Sequence, residues 1–295
     1  MSTQGVAPTL SPAFRARLEQ LSIVSRRSHG NPNLGSRRSR RRGASIEFAD
    51  YRRYSAGDDI RNIDWNVFGR SDRLYVKVRE AEEQLAVHVL LDCSLSMSRG
   101  RRNKIEYARE LAAALGFAAL SAGDSLTAQG FSDRLGASTP VIRGARMTTT
   151  LLEFLGGLRC AGRTSLAEPL TEYASRRRPT GVLFVISDLL APGGYQGIGV
   201  LAQRGHEVVV LHLLDREDLD PDVGEDVELV DSETGERLLL GEEISLDGYS
   251  ERLHQWLSET SAFCSRLNVR YAAVETEWSV EDVVLRRLRA RGILA

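Results

Sequence analysis

From residue 84 onward the chain alternates between two hydrophobic periods. Residues 84–91, 181–187 and 207–214 are short apolar runs of strand length, rich in Val, Leu and Ile, and 125–131 and 270–274 are also read as strands. Between and after them lie 104–121, 145–158, 166–175, 194–203, 247–267 and 280–291, whose apolar positions follow a helical period. Residues 134–141 follow 125–131 too closely for a crossover helix, so these two segments are expected to pair antiparallel at one edge. The order predicts an α/β fold, a doubly wound, mostly parallel sheet with one antiparallel edge strand, covered by helices on both faces.

The stretch 87–98, VHVLLDCSLSMS, organises this region. It reads as a buried strand that breaks into Asp92-Cys93-Ser94-Leu95-Ser96 before the helix at 104–121. In open α/β sheets ligands bind at the carboxyl ends of the strands. Asp92, Ser94 and Ser96 alternate there, so in an extended loop their side chains point the same way. One carboxylate and two hydroxyls are oxygen ligands that suit a hard divalent cation. Thr164 sits in a Gly162-Arg163-Thr164 turn before a helix, and Asp188 ends the most apolar strand, after Ser187. Both reach the same crevice in a doubly wound sheet. A lone D-x-S-x-S is a weak signal, because these are ordinary turn residues; the two later positions make it more specific.

Charge divides the chain. Residues 1–42 hold nine arginines against one acid, whereas the remainder holds thirty Lys and Arg against thirty-nine Asp and Glu. Residues 13–25 predict a short amphipathic helix with Phe14, Leu18, Leu21 and Ile23 on one face; 26–42 is an Arg/Ser/Gly/Asn-rich arm. That arm fits either a contact to nucleic acid or acidic lipid, or a solvated loop docked on an acidic surface. No aromatic interleaves its arginines, so base stacking has no support and no nucleic acid is expected as partner.

Residues 43–83 form a separate segment, read as a cap on the domain at 84–295. Its charged residues surround Ile63, Trp65 and Phe68, and Leu74, Val76 and Val78 alternate as a strand. Trp65 is expected to be buried against the main domain, with Arg61 and Asp64 in ion pairs. The alternative is a catalytic carboxylate cluster, which the interleaved arginines disfavour by holding the acids ionised. An insertion at 215–243 holds thirteen acids against Arg216 and Arg237, and predicts a β-hairpin about 231–235. It fits a solvated hairpin or a docking surface for a basic partner.

Other function classes find less footing. Cys93, Cys160 and Cys264 are odd in number and widely spaced, which points to neither a disulfide framework nor a zinc site and favours a reducing compartment. No apolar run approaches the roughly 18 residues of a membrane span, so no transmembrane segment and a cytoplasmic location are expected. There is no G-x-x-x-x-G-K-[ST] loop, and His88 and His212 lie inside apolar strands. No lysine lies near Thr164 or Asp188 in the sequence, so the phosphate donors of a hydrolase are not evident.

Asp92-Cys93-Ser94-Leu95-Ser96, Thr164 and Asp188 resemble the metal-ion-dependent adhesion site of a von Willebrand factor A domain. More narrowly, the sequence resembles the bacterial family catalogued as domain of unknown function 58. That likeness rests on Tyr54-x-x-Gly57-Asp58-Asp59-x-Arg61-x-Ile63-Asp64-Trp65 followed by Arg70, and on Phe48-Ala49-Asp50-Tyr51-Arg52. The resemblance implies that Ser94 and Ser96 ligate Mg²⁺ (or Mn²⁺ or Ca²⁺) directly, and that Asp92, Thr164 and Asp188 act directly or through water. A partner's carboxylate would fill the open position. Family members are often encoded beside MoxR-type AAA+ ATPases, so the resemblance implies a cation-dependent adaptor for such an ATPase in complex assembly or remodelling, and not an enzyme. A Mg²⁺-dependent phosphoester hydrolase and a nucleic-acid-binding protein are the alternatives. Tyr54, Gly57, Asp58, Asp59, Arg61, Asp64, Trp65 and Arg70 are then expected to form a structural or interaction surface.

Overall fold

The computed structural model describes residues 7–26, 50–55, 60, 63–71, 73–78, 84–190, 195–221, 228–230, 237–239 and 246–295. The chain divides into two compact units, one of residues 1–25 and 85–295, the other of residues 26–84.

Helix α1 (Pro12–Leu18) opens the larger unit, capped by the Ser11 hydroxyl, which accepts from Phe14 N at 3.2 Å. It is shorter than the helix expected over 13–25. Beyond Leu18 the chain extends and forms a bridge between Ile23 and Leu294, so Leu21 and Ile23 enter the core from an extended segment. Thus the amphipathic start of the chain belongs to the main unit, not with the basic arm.

In the smaller unit β1 (Asp50–Arg53) pairs antiparallel with β2 (Tyr75–Val78), and α2 (Trp65–Ser71) lies between them in sequence. Asp64 caps α2, its Oδ1 accepting from Asn66 N at 2.9 Å and Val67 N at 3.3 Å, while its own N–H donates to Tyr75 O. Ile63 and Val76 are buried beside each other. Trp65, expected to be buried, is 63% exposed. It stands at the first position of α2, its ring edge-on to Phe68 at 6.1 Å. Tyr54 is half-buried and Arg70 is exposed. Gly57, Asp58, Asp59 and Arg61 lie outside the described residues, as do residues 27–42 of the arm, residues 43–49 of the cap segment with Phe48 and Ala49, and 222–227, 231–236 and 240–243 of the insertion.

The main unit continues with β3 (Ala86–Asp92), α3 (Lys104–Ser121), β4 (Ser125–Phe131), β5 (Leu135–Ser138), β6 (Ile142–Arg143), α4 (Thr148–Gly157), α5 (Glu168–Ser175), β7 (Val182–Ser187), α6 (Gln196–Gln203) and β8 (Glu207–Leu214). After a single turn, α7 (Arg216–Leu219), come β9 (Glu228–Val230) and β10 (Arg237–Leu239), an antiparallel hairpin within the acidic insertion. Helix α8 (Leu246–Arg266) and β11 (Arg270–Glu275) follow. The closing helix expected over 280–291 is α9 (Val280–Asp282), a π-helical turn at Val283–Arg287, and α10 (Leu288–Ala290).

The sheet order is β11-β8-β7-β3-β4-β5, with β6 also on β4. The five strands from β11 to β4 are parallel; β5 and β6 are antiparallel to β4. The single edge strand expected at 134–141 is therefore two short pieces. Pro140, which lacks an N–H for the ladder, falls between them, and the register with β4 shifts between Gln129 and Phe131.

The parallel strands are covered on both faces. Val87, Val89 and Leu91 of β3, with Val182, Phe184 and Ile186 of β7, join one core with α1, α3, α4 and the closing helices. Leu90, Leu183 and Val185 join the other, with α5, α6 and α8. This is the period-2 alternation of a strand buried on both sides. Helix α3 packs closely on its neighbour: a Cβ at Gly116 would lie 2.4 Å from Leu151 Cδ2, so no larger residue fits there without movement.

Candidate functional site

Three loops meet at the carboxyl ends of β3 and β7, and backbone bonds lock the first two together. Cys93 N donates to Phe131 O at 2.7 Å, Ala161 N to Cys93 O at 2.8 Å and Leu95 N to Gly162 O at 3.1 Å. These bonds carry Thr164 to the loop after β3. Asp92 Oδ1 accepts from Ser94 N at 2.9 Å, a local turn bond that orients the serine. Ser94 Oγ then lies 2.9 Å from Ser96 Oγ, which lies 3.1 Å from Thr164 Oγ1.

The third loop arrives by strand pairing. Leu91 is in register with Ile186, so Asp92 and Ser187 end neighbouring parallel strands. Ser187 Oγ donates to Asp92 Oδ2 at 2.5 Å and accepts from Leu189 N at 3.0 Å. Leu189 takes a left-handed conformation, φ 56°, which turns the chain sharply just past Asp188. Asp92, Ser94, Ser96, Thr164 and Asp188 are all buried. The tertiary structure thus gathers these five residues at one place, while Arg163 is exposed beside Thr164.

Burial, reinforced by the charge of Asp188, pushes the Asp92 carboxyl up to about 7, although bonds from Ser187 and Ser94 oppose the shift. No lysine is near Thr164 or Asp188 in the sequence, but the fold brings one to Asp188. Lys104, the first residue of α3, places Nζ 2.8 Å from Asp188 Oδ2 and 3.1 Å from Asp218 Oδ2. Burial alone would lower its pKa; the two carboxylates outweigh burial and hold the ammonium above its ordinary value. Sequence reading missed Lys104 and Asp218 because Lys104 meets Asp188, and Asp218 meets Lys104, only through tertiary packing. The one local signal was Asp218 as partner in the Asp215 capping box of α7.

Nearby groups offer little acid-base chemistry. His212 Nε2 donates to the Asp188 carbonyl at 3.0 Å and its Nδ1 accepts from Tyr271 at 2.7 Å. Burial lowers its pKa to about 4, so it is a neutral, fully engaged ring. Burial pushes the Cys93 thiol far up, which removes it as a nucleophile. Among the described residues no group of three or more His, Cys, Asp or Glu side chains is arranged to hold a metal. The cluster is instead two carboxylates and three hydroxyls, an oxygen set for a hard ion. Beside it a cavity of about 330 Å³ is lined by Cys93, Phe131, Arg134, Arg159 and Gly162 among others.

The sequence pattern of the family described as "Protein of unknown function DUF58" matches residues 50–246. The chain is 30% identical over 200 residues to an uncharacterized protein of Mycobacterium tuberculosis (strain ATCC 25618 / H37Rv), and equally to one of Mycobacterium bovis. Each alignment covers 65% of this chain and 62% of the relative, so the chain spans less than two thirds of those relatives' length. Among solved structures it is similar to the conserved hypothetical protein BatB from Bacteroides thetaiotaomicron, with a TM-score of 0.44 and 15% identity over 70% of this chain and 98% of that one. No described helix is long and apolar enough to cross a membrane.

Proposed function

The chain belongs to the DUF58 family, and we propose that its buried oxygen cluster is a divalent-cation site of the von Willebrand factor A kind through which a protein partner is bound. The observation that carries this reading is the spacing of the hydroxyls. Ligands at right angles on an ion with Mg–O distances of 2.0–2.1 Å lie about 2.8–3.0 Å apart. The Ser94–Ser96 oxygens, 2.9 Å apart, fall within that range and the Ser96–Thr164 oxygens, 3.1 Å apart, just above it, and each pair is hydrogen-bonded, so the three hydroxyls already converge.

Ser94, Ser96 and Thr164 would hold the ion, with Asp92 and Asp188 supplying its countercharge. Both Asp92 oxygens already accept hydrogen bonds, from Ser94 N and Ser187 Oγ, so its part is to orient the serines and to bring negative charge. When bound, the ion supplies an electrophilic position that a partner's carboxylate fills. Mg²⁺ is the first choice, and Mn²⁺ and Ca²⁺ share the oxygen preference.

On this reading the protein is a cation-dependent cytoplasmic adaptor, not an enzyme. Its work beside a MoxR-type AAA+ ATPase in complex assembly or remodelling is supported by the family resemblance alone. The hydrolase alternative needs a base free to take a proton: both histidines inside the strands are hydrogen-bonded on each nitrogen, and Asp92, though burial pushes its carboxyl up to about 7, already accepts hydrogen bonds on both oxygens. The test is calorimetric Mg²⁺ titration and partner capture with wild type and Asp92→Asn. Saturable binding and capture, both lost in the variant and in chelator, support the adaptor. Mg²⁺-dependent release of phosphate from a simple ester by the purified wild type alone would overturn it.

A further inference from the structure

The proposed cation site has a neighbour of the ion's own sign. The Lys104 side chain is 2% exposed, with Nζ between Asp188, which belongs to the oxygen cluster, and Asp218, which stands outside it. Their side chains are 1% and 27% exposed, so one carboxylate is fully buried and the other is partly wet. A buried ammonium neutralises Asp188 while no ion is bound, and repels a divalent ion that approaches the same carboxylate.

Asp218 is built to take the lysine on its own. Its Oδ2 accepts from Asp215 N at 2.9 Å in the capping box of α7, and its carbonyl accepts from the Tyr249 hydroxyl at 2.8 Å. Asp215 in turn grips the loop that leads into Lys104, accepting from Arg101 N at 3.0 Å, Arg102 N at 3.4 Å and Thr276 Oγ1 at 2.8 Å. Anion and lysine stem are therefore held by the same short network, whichever carboxylate the ammonium favours.

We propose that Lys104 is a tethered cation that occupies Asp188 when no divalent ion is present and withdraws onto Asp218 when one binds, so that the Lys104–Asp218 pair sets the ion affinity of the site. The inference rests on the cation reading of the oxygen cluster and names two residues, outside its ligand set, that govern it.

The experiment is calorimetric titration of Mg²⁺ into the whole chain as wild type, Lys104→Met, Asp218→Asn and the double variant. Lys104→Met should bind Mg²⁺ about tenfold tighter or more, since the competing charge is gone. Asp218→Asn should bind about tenfold more weakly, since the lysine loses its second anion. In the Lys104→Met background Asp218→Asn should change affinity less than about twofold, because the acid acts through the lysine. Unchanged or weaker binding by Lys104→Met overturns the proposal, as does an Asp218→Asn effect that persists without the lysine. Should Lys104→Met fail to fold with Asp188 left unpaired, Asp218→Asn decides alone: weaker binding supports the proposal and unchanged affinity overturns it. Wild-type binding that Asp92→Asn abolishes but Lys104→Met leaves untouched sinks this inference and spares the cation site. No Mg²⁺ binding by any of the proteins sinks both.

Discussion

Strand β3 carries a buried polar residue near each end, His88 and Asp92, and both project to the same face of the sheet. At the amino end His88 Nε2 donates to Pro179 O at 3.0 Å and Nδ1 accepts from Tyr173 at 2.9 Å, with His206 edge-on at 5.1 Å. Both hydrogen-bond partners are neutral and both ring nitrogens are engaged; burial first, then His206 and Arg178, which lies over the Tyr173 ring, lower the His88 pKa to about 4. At the carboxyl end Asp92 and Asp188 bring two carboxylates into the interior with the Ser94, Ser96 and Thr164 hydroxyls, and the ammonium of Lys104 is shared between Asp188 and Asp218. A satisfied neutral cluster holds a fold together. A cluster with negative charge left over invites a cation, and the two can be told apart by charge balance although both are equally buried.

The largest expected effect tests the charged end. Asp92→Asn should lower Mg²⁺ affinity by more than about a hundredfold, while its stability in chelator stays within about 1 kcal/mol of wild type or rises. Calorimetry paired with chemical denaturation checks both; retained affinity would show that the carboxylate is structural, like His88. Next in size is the stabilisation of wild type by the ion. At a hundred times the dissociation constant, Mg²⁺ should add about 2.7 kcal/mol, seen as a raised Tm that chelator reverses. Asp92→Asn should show no such rise.

The neutral end should behave in the opposite sense. His88→Asn is expected to cost about 2 kcal/mol of stability through lost buried hydrogen bonds and to leave Mg²⁺ affinity unchanged. Its pH dependence has a definite sign. The unfolded histidine takes a proton near 6.5, and the folded one only near 4. The stability that His88 contributes is therefore complete above about 6.5 and is lost as pH falls toward 4. Denaturation at stepped pH should show that fall in wild type and a shallower one in His88→Asn; equal slopes would place the titration elsewhere.

The smallest expected effect lies in the other unit. Trp65 is exposed, so Trp65→Ala should change stability by less than about 0.5 kcal/mol, far below the cost of a core tryptophan. If capture of a protein partner falls while the melting curve is unmoved, the ring is a contact surface. A loss of several kcal/mol would show that it is covered in solution.

Local pattern was enough for much of this molecule. Helix α3 and strands β4 and β8 fall at the expected residues. The five oxygen residues were legible as well, since Asp92, Ser94, Ser96, Thr164 and Asp188 sit at element ends where an α/β sheet converges. Tertiary structure decided what those residues meet. That Ser187 donates to Asp92, that Lys104 reaches Asp188 and Asp218, and that Ile23 pairs with Leu294 depends on segments far apart in the chain. It also decided that α1 ends at Leu18 and that Trp65 faces outward, against what periodicity and aromatic character implied. Periodicity reports which face of a segment avoids water. The partner of a buried charge is chosen by packing across the fold, where the cost of leaving that charge unpaired selects one neighbour among many.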